Sequence, residues 1–252
     1  MIIYYSATGN SKWIANQIAK GTSDTAKSLT TLARQGVTPE SLVIKDKIGI
    51  VFPVYAWRAP KVVVDYIKRL NIPEGVYKYA IATCGGQAGK TMKYLNKDFP
   101  VDAAWSLLMP DNYIRMWDVN PKEEMLKKIN ASKEKLPKII DAINNKQHIV
   151  DVEEGGWIAP ILSGIVNWGF VTFLNSAKGY RTDDTCTGCG VCTTQCIFNN
   201  IYLDENNRPV WGDKCNQCGA CIHNCPVACI QYKNKTQKRG RYNLYRDYKG
   251  DK

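Results

Sequence analysis

A chain of 252 residues with 44% hydrophobic and 23% charged side chains is globular in composition and long enough for a larger and a smaller unit. Those proportions exclude a disordered or collagen-like chain, and the start MIIYYSATGN lacks a basic n-region and a small-residue cleavage site, so the expected location is cytoplasmic. The ten cysteines then point to metal or redox work rather than disulfides, because a reducing compartment keeps thiols free.

Through residue 150, short apolar runs alternate with amphipathic stretches, the signature of strands and crossover helices in a parallel sheet. Met1 to Tyr5 reads as a strand, Ser11 to Lys20 as a helix closed by Gly21, Ser28 to Leu32 as a strand, and Lys47 to Phe52 as a buried strand. Ala59 to Leu70 is expected to be helical. Val76 to Thr83 and Val101 to Met109 supply two more strands around a helix from Gly89 to Asn96, and a long helix from Pro121 to Asn145 follows. The expectation is an α/β domain over residues 1–150 with a parallel five-stranded sheet. Gly155 to Ala177 carries no charge, which raises a transmembrane helix at the roughly 20 residues a bilayer needs. Pro160, Asn167, Asn175, four glycines and the lack of an Arg or Lys anchor at its entry argue against a span. Residues 151–180 are therefore expected to form an apolar helix that docks one domain on the other.

The first strand runs straight into Ser6, Ala7, Thr8, Gly9, Asn10 and Ser11 and then into a helix. Hydroxyls and free backbone N–H groups converge there, and the macrodipole adds positive potential, so the loop suits a phosphate without a lysine. A simple N-cap by Ser11 is the plainer alternative. The stretch Ser6-x-Thr8-Gly9-Asn10-Ser11 resembles the FMN phosphate loop of flavodoxins. Two further loops agree: Pro53-Val54-Tyr55-Ala56-Trp57 after the third strand and Thr83-Cys84-Gly85-Gly86 after the fourth. The resemblance implies a flavodoxin-like, doubly wound fold that holds the isoalloxazine ring at the strand carboxyl ends. Tyr55 and Trp57 could stack on the ring, or pack as core, and Gly85 and Gly86 would let backbone N–H groups approach its polar edge. Gly85 to Thr91 imitates a nucleotide P-loop but fails by one residue, since Cys84 stands where the first glycine belongs. Cys84 itself reads as a buried, inert thiol.

Cys186, Cys189, Cys192 and Cys196 form C-x2-C-x2-C-x3-C, and Cys215, Cys218, Cys221 and Cys225 repeat it before Pro226. Zinc sites of four cysteines compete, but they use paired CxxC units far apart, whereas triple runs with a fourth cysteine suit iron-sulfur cubanes. Asp184 matches Asp213, Gly190 matches Gly219 and Ile201 matches Ile230, as expected of two halves about a pseudo-twofold axis. Residues 181–231 thus resemble a small α+β bacterial-type two-cluster ferredoxin. That resemblance implies crossed ligands for two 4Fe-4S clusters: Cys186, Cys189, Cys192 and Cys225 for the first, Cys215, Cys218, Cys221 and Cys196 for the second. The family's proline after the fourth cysteine is replaced by Ile197 in the first run. Cys229 matches no ligand position and is expected in the core.

The formal charge of +11 invites a nucleic-acid reading, but eight thiolates, two cluster cores and an FMN phosphate would bring the loaded protein to about +5. Residues 232–252 hold eight Lys and Arg against two Asp. This basic tail reads either as a self-docking or solvated segment or as a docking surface for an acidic redox partner protein; no nucleic-acid partner is expected, and the oligomeric state is not legible. The whole reading is electron transfer between FMN and two 4Fe-4S clusters on one chain, and no catalytic residue stands out. The rivals are a flavin-dependent reductase, for which Cys84 and Tyr113 are the available polar groups, and a redox sensor.

Overall fold

A computed structural model describes residues 1–250 of the chain; Asp251 and Lys252, the end of the expected basic tail, lie outside the described residues. Six strands, β1 (Ile2–Tyr4), β2 (Ala26–Ser28), β3 (Lys47–Pro53), β4 (Tyr77–Cys84), β5 (Ala103–Leu108) and β6 (Val150–Asp151), form one sheet in the order β2-β1-β3-β4-β5-β6. Every neighbouring pair is parallel. The order of the first five is that of the flavodoxin-like doubly wound sheet. Four of the five expected strands fall on β1, β3, β4 and β5, and the sheet has a sixth strand, β6, which is two exposed residues long and pairs only with Ala104 and Trp105; so short an edge carries no hydrophobic pattern.

Both faces of the sheet are covered, which is why its strands read as continuous apolar runs. On one face lie α1 (Asn10–Gly21) and α5 (Lys122–Asn144), whose Ile14, Ile18, Ile139 and Ile143 pack with Val51, Ile81 and Leu107. On the other, α3 (Lys61–Ile67) and α4 (Thr91–Leu95) set Val63, Ile67, Met92 and Leu95 against Ile48, Ile50 and Phe52. A second correction falls at the expected strand Ser28 to Leu32. The strand ends at Ser28, whose hydroxyl accepts from the Thr31 amide at 3.3 Å and so caps α2 (Leu29–Arg34).

The smaller unit carries two antiparallel pairs, β7 (Tyr180–Thr182) with β10 (Ile230–Tyr232) and β8 (Ile201–Leu203) with β9 (Pro209–Trp211). Short helices Val191–Gln195 and Ala220–His223 each start after a glycine in the left-handed region, Gly190 and Gly219. The unit sits on the strand carboxyl ends of the larger one. Ile197, where the ferredoxin pattern has proline, is buried as part of a core cluster made mainly by the larger unit, so this departure serves the junction between the units. Arg34 of α2 adds a pin, donating to the carbonyls of Thr193 and Cys196 and to Asn199 Oδ1 at 2.8 to 3.2 Å.

The tightest point of the sheet is Gly49 on β3, paired with Tyr79 on β4. A Cβ at residue 49 would fall 2.2 Å from the Tyr79 ring. Gly49→Val is therefore expected to overpack the sheet and cost about 1–3 kcal/mol, read as a fall in the thermal unfolding midpoint; an unchanged midpoint would show that Tyr79 can swing aside.

Candidate functional site

At the carboxyl end of β1 the chain turns through Ser6 to Gly9 into α1. Gly9 has φ of 99° and no side chain caps the helix, so Ser11 is not the cap that the plainer sequence reading offered. Its hydroxyl instead bonds Thr83 Oγ1 at 2.8 Å. The first-turn amides of α1 thus keep an approach free of any capping side chain, the condition for holding an anion. Around them the loop is braced. Asn112 donates to Thr8 Oγ1 at 2.6 Å, and Asn10 donates to the Pro110 carbonyl at 3.0 Å while accepting from the Tyr242 hydroxyl at 2.6 Å.

This loop borders a cavity of about 330 Å3 that the loops after β3, β4 and β5 complete. Of the residues expected to hold a flavin, Ser6, Thr8, Asn10, Ser11, Pro53, Val54, Tyr55, Ala56, Trp57, Thr83, Cys84, Gly85 and Gly86 line it, whereas Gly9 lines a neighbouring cavity with Lys12 and Tyr245. Tyr55 and Arg58 exchange backbone hydrogen bonds of 2.9 and 3.1 Å around Ala56 and Trp57, which both have positive φ, 46° and 61°. Two non-glycine residues in that conformation store strain, and here it holds Trp57 at the cavity wall. No glycine or asparagine marks this turn, so the sequence offered no signal for it. Cys84 is buried and its thiol pKa is pushed up to about 12, chiefly by loss of solvation, which keeps it a thiol at neutral pH.

The other unit closes the cavity. Cys218 and Gln217 line it together with Tyr113, and the Tyr113 hydroxyl donates to Gln217 Oε1 at 2.9 Å. Gln217 is 4% exposed and its Nε2 has no partner. The hydroxyl of Tyr55 is likewise buried without one. An aromatic-walled cavity beside an anion cradle, with these two unpartnered polar side chains among its lining residues, fits a planar, hydrogen-bonding cofactor carrying a phosphate. Cys218 also packs on the core beside Tyr5 and Tyr55, and Asn216 donates to the Tyr5 hydroxyl at 3.0 Å.

The eight patterned cysteines fall into two groups. A small cavity is lined by Cys186, Cys189, Cys192 and Cys225, with Cys229 beside them. In the second group, burial first and then the nearby charges of Cys215 and Cys196 push the Cys218 thiol up to about 11, and Cys196 acts in the same sense on Cys215 and Cys221. Each group thus contains the fourth cysteine of the other run. Buried thiols of this kind are neutral until a cation replaces the proton. Amides already point at sulfur, Asn200 N to Cys196 at 3.4 Å and Gln217 N to Cys215 at 3.3 Å. Among the described residues no three His, Cys, Asp or Glu side chains converge on a single-ion site. Cys229 is in the core, with its sulfur 3.4 Å from that of Cys225.

Sequence reasoning left the role of residues 232–252 open, and much of this stretch folds back. Leu244 N donates to the Thr8 carbonyl at 2.9 Å, Tyr242 N to His223 Nδ1 at 3.0 Å, and His223 Nε2 meets the Asn112 carbonyl at 2.7 Å. His223 is fully buried, and desolvation, ahead of the Arg241 and Arg246 charges, lowers its pKa to about 4. The ring is neutral and accepts from one strap while donating to another loop. Of the tail's cations, Lys233, Lys235 and Lys238 are exposed, whereas Arg241 is largely spent on carbonyls. The apolar segment, helical over residues 156–174, docks less fully than expected: only a stripe of it is buried.

Residues 1–111 match the flavodoxin domain family and residues 178–226 the 4Fe-4S dicluster domain family. The chain is 39% identical over 49 residues to a ferredoxin of Pyrobaculum islandicum, covering 19% of this chain and 45% of that protein. It is 36% identical over 56 residues to the archaeal-type glutamate synthase (NADPH) of Dehalococcoides mccartyi, covering 21% of this chain and 11% of that protein. The chain spans less than half the length of either relative. Among solved structures it is similar to an FMN-dependent NADH-azoreductase from Bacillus anthracis in complex with FMN, at 12% identity and a TM-score of 0.35, covering 57% of this chain and 99% of that one.

Tyr242→Phe would leave the buried Asn10 carbonyl oxygen without its donor. The expected cost is about 1–2 kcal/mol, measured as a lower unfolding midpoint with unchanged secondary structure; equal stability would show that Asn10 finds another donor.

Proposed function

We propose that this chain, which carries a flavodoxin domain at its N-terminal end (residues 1–111) and a 4Fe-4S dicluster ferredoxin domain at its C-terminal end (residues 178–226), moves electrons between FMN, two 4Fe-4S clusters and a redox partner protein in the cytoplasm. FMN, when bound, exchanges one or two electrons and each cluster one, so the pair joins paired and single-electron traffic. The observation that carries the reading is the position of Cys218 and Gln217, which open the second cysteine group directly onto the cavity bounded by the phosphate loop.

In this reading the amides of the Ser6 to Ser11 loop hold the phosphate, Tyr55 and Trp57 flank the ring, and Gly85 and Gly86 admit backbone to its edge. Gln217, its carbonyl engaged by Tyr113, directs its free N–H at the cofactor. Tyr5 and Tyr55 keep water from the sulfur of Cys218. Cys215, Cys218, Cys221 and Cys196 hold the inner cluster. Cys186, Cys189, Cys192 and Cys225 hold the outer one, and Cys189 is exposed, which makes that end the exit to a partner. Lys233, Lys235 and Lys238 follow β10, whose Ile230 lines the same cavity, and would steer an acidic partner there.

Anaerobic purification is expected to yield FMN and about eight iron and eight sulfide per chain. FAD in place of FMN, or zinc without sulfide, overturns the assignment. Cys225→Ser should damage the outer cluster and Cys196→Ser the inner one in paramagnetic resonance spectra, and the opposite pattern defeats the crossing.

Gln217→Leu tests the link itself. Loss of the free N–H is expected to shift the flavin midpoint potential by tens of millivolts, about 30 mV corresponding to 1.4 kcal/mol for a two-electron couple, while the iron content stays constant. A flavin potential equal to that of the unaltered protein would remove Gln217 from the cofactor site.

A further inference from the structure

The helical segment over residues 156–174 is turned inside out relative to a surface helix of a water-soluble domain. Its buried stripe is small and polar: Ala159, Ser163 and Asn167, at spacings of four residues, are nearly or wholly excluded from solvent. Ser163 Oγ accepts from the Lys90 amide at 2.9 Å and its carbonyl from Arg58 Nε at 2.6 Å, and Asn167 donates to the Ala56 carbonyl at 2.8 Å. The large apolar side chains face outward, with Trp157 85%, Ile165 74%, Phe173 70%, Trp168 62% and Ile161 50% exposed. Among the described residues, half of the exposed large apolar side chains lie on this one helix. Such a concentration marks an interaction surface, because water-exposed patches of this kind are otherwise selected against.

The patch does not stop at the helix. Phe170 packs edge-on to Tyr113, and Tyr113 to Trp117, with ring centroids 6.0 and 5.9 Å apart. Phe170 and Trp117 line the mouth of the flavin-type cavity. Exposed lysines flank the patch. Lys93 on α4 and Lys97 just after it are exposed beside Tyr94, whose hydroxyl approaches Gly164, and Lys178 is exposed where the chain leaves the helix. Of the acids nearby, Glu154 is paired with Lys90 and Asp98 with Lys68, while Glu153 before the helix and Asp118 beside Trp117 are exposed.

We infer that this helix lies in the plane of an anionic lipid bilayer surface and seats the cavity mouth against it. An apolar face bearing two tryptophans and a lysine rim has the chemistry of a monotopic interfacial helix. A span is excluded by the packing: the units before and after the helix bond each other through Asn216 and Tyr5, His223 and Asn112, and Tyr242 and Asn10, so the helix cannot separate them by a membrane. A second copy is disfavoured by charge, since an isologous contact would set Lys93, Lys97 and Lys178 of two net-positive chains around one interface, whereas anionic headgroups neutralise them. The inference goes beyond the redox reading and does not depend on it.

Flotation of the full, cofactor-loaded chain with vesicles tests it. Vesicles of phosphatidylcholine with phosphatidylglycerol are expected to carry the protein at least about tenfold better than phosphatidylcholine alone, the preference weakening as salt rises. Brominated lipid should quench tryptophan fluorescence. The double variant Ile165→Glu with Trp168→Glu should abolish flotation and leave the visible absorption spectrum intact, because both side chains already face solvent. Lys93→Glu with Lys97→Glu should remove the preference for the anionic lipid. The proposal is overturned if the unaltered chain fails to float at low salt, if the Ile165 and Trp168 variant floats equally well, or if sedimentation shows a dimer that this variant dissociates.

Discussion

The buried amide of Asn10 is the joint on which the two units hang. Its nitrogen is committed to the carbonyl of Pro110 after β5 and its oxygen to the hydroxyl of Tyr242, 232 residues further along the chain. Both bonds are buried, so losing one strands a polar atom at a cost the fold does not otherwise recover. The consequence is geometric. The loop that would grip a phosphate, the loop that walls the cavity and the returning C-terminal strap share one side chain. His223 extends the same scheme, since its ring ties the strap at Tyr242 to the loop at Asn112.

From that joint follows the placement of the cysteine-bearing unit. A ferredoxin domain attached only by a linker would sample many orientations, and its advantage would be that of effective concentration alone. Here Ile197 is sunk in the core of the larger domain, Arg34 grips the Cys196 turn, and Cys218 rests on Tyr5 and Tyr55. One cysteine group is thereby fixed at the cavity, and the other faces outward through Cys189. The strap arginines, in a stretch whose sequence left self-docking, solvation and partner docking open, spend their guanidinium groups on backbone carbonyls, as Arg239 does on Ile114 at 2.6 Å. Charge composition recorded how many cations were present; it did not record that several were donors for buried acceptors.

How much was legible in the sequence divides along the same physical line. Strands buried on both faces, the Ser6 to Ser11 loop and the two cysteine runs announce themselves through local pattern, because their constraints act between neighbours in the chain. What stayed hidden depends on distant partners. Ser28 could begin a strand or cap a helix, and only the packing of Leu29 and Leu32 into the core decides for the helix. The turn at Ala56 and Trp57 lacks the residues such turns prefer, because tertiary contacts rather than local propensity hold it. Gln217 sits unmarked between two cysteines, and its importance arises from a cavity built mainly by residues at least a hundred positions earlier.

The apolar helix shows why pattern alone misleads in the other direction. Hydropathy by itself does not separate a core helix from a surface-seated one, since it averages over all sides. The structure separates them by which side is buried. Ser163 and Asn167 face inward because their hydrogen-bonding groups meet the amide of Lys90 and the carbonyl of Ala56, and those polar contacts turn the tryptophans and isoleucines out. A helix anchored by polar bonds, with an apolar outer face, reverses the logic of burial that governs the other helices of the chain. Its stripe of small residues lets it lie close over the loop of Tyr55 to Trp57, so whatever covers its outer face is held next to the cavity that the two domains build together.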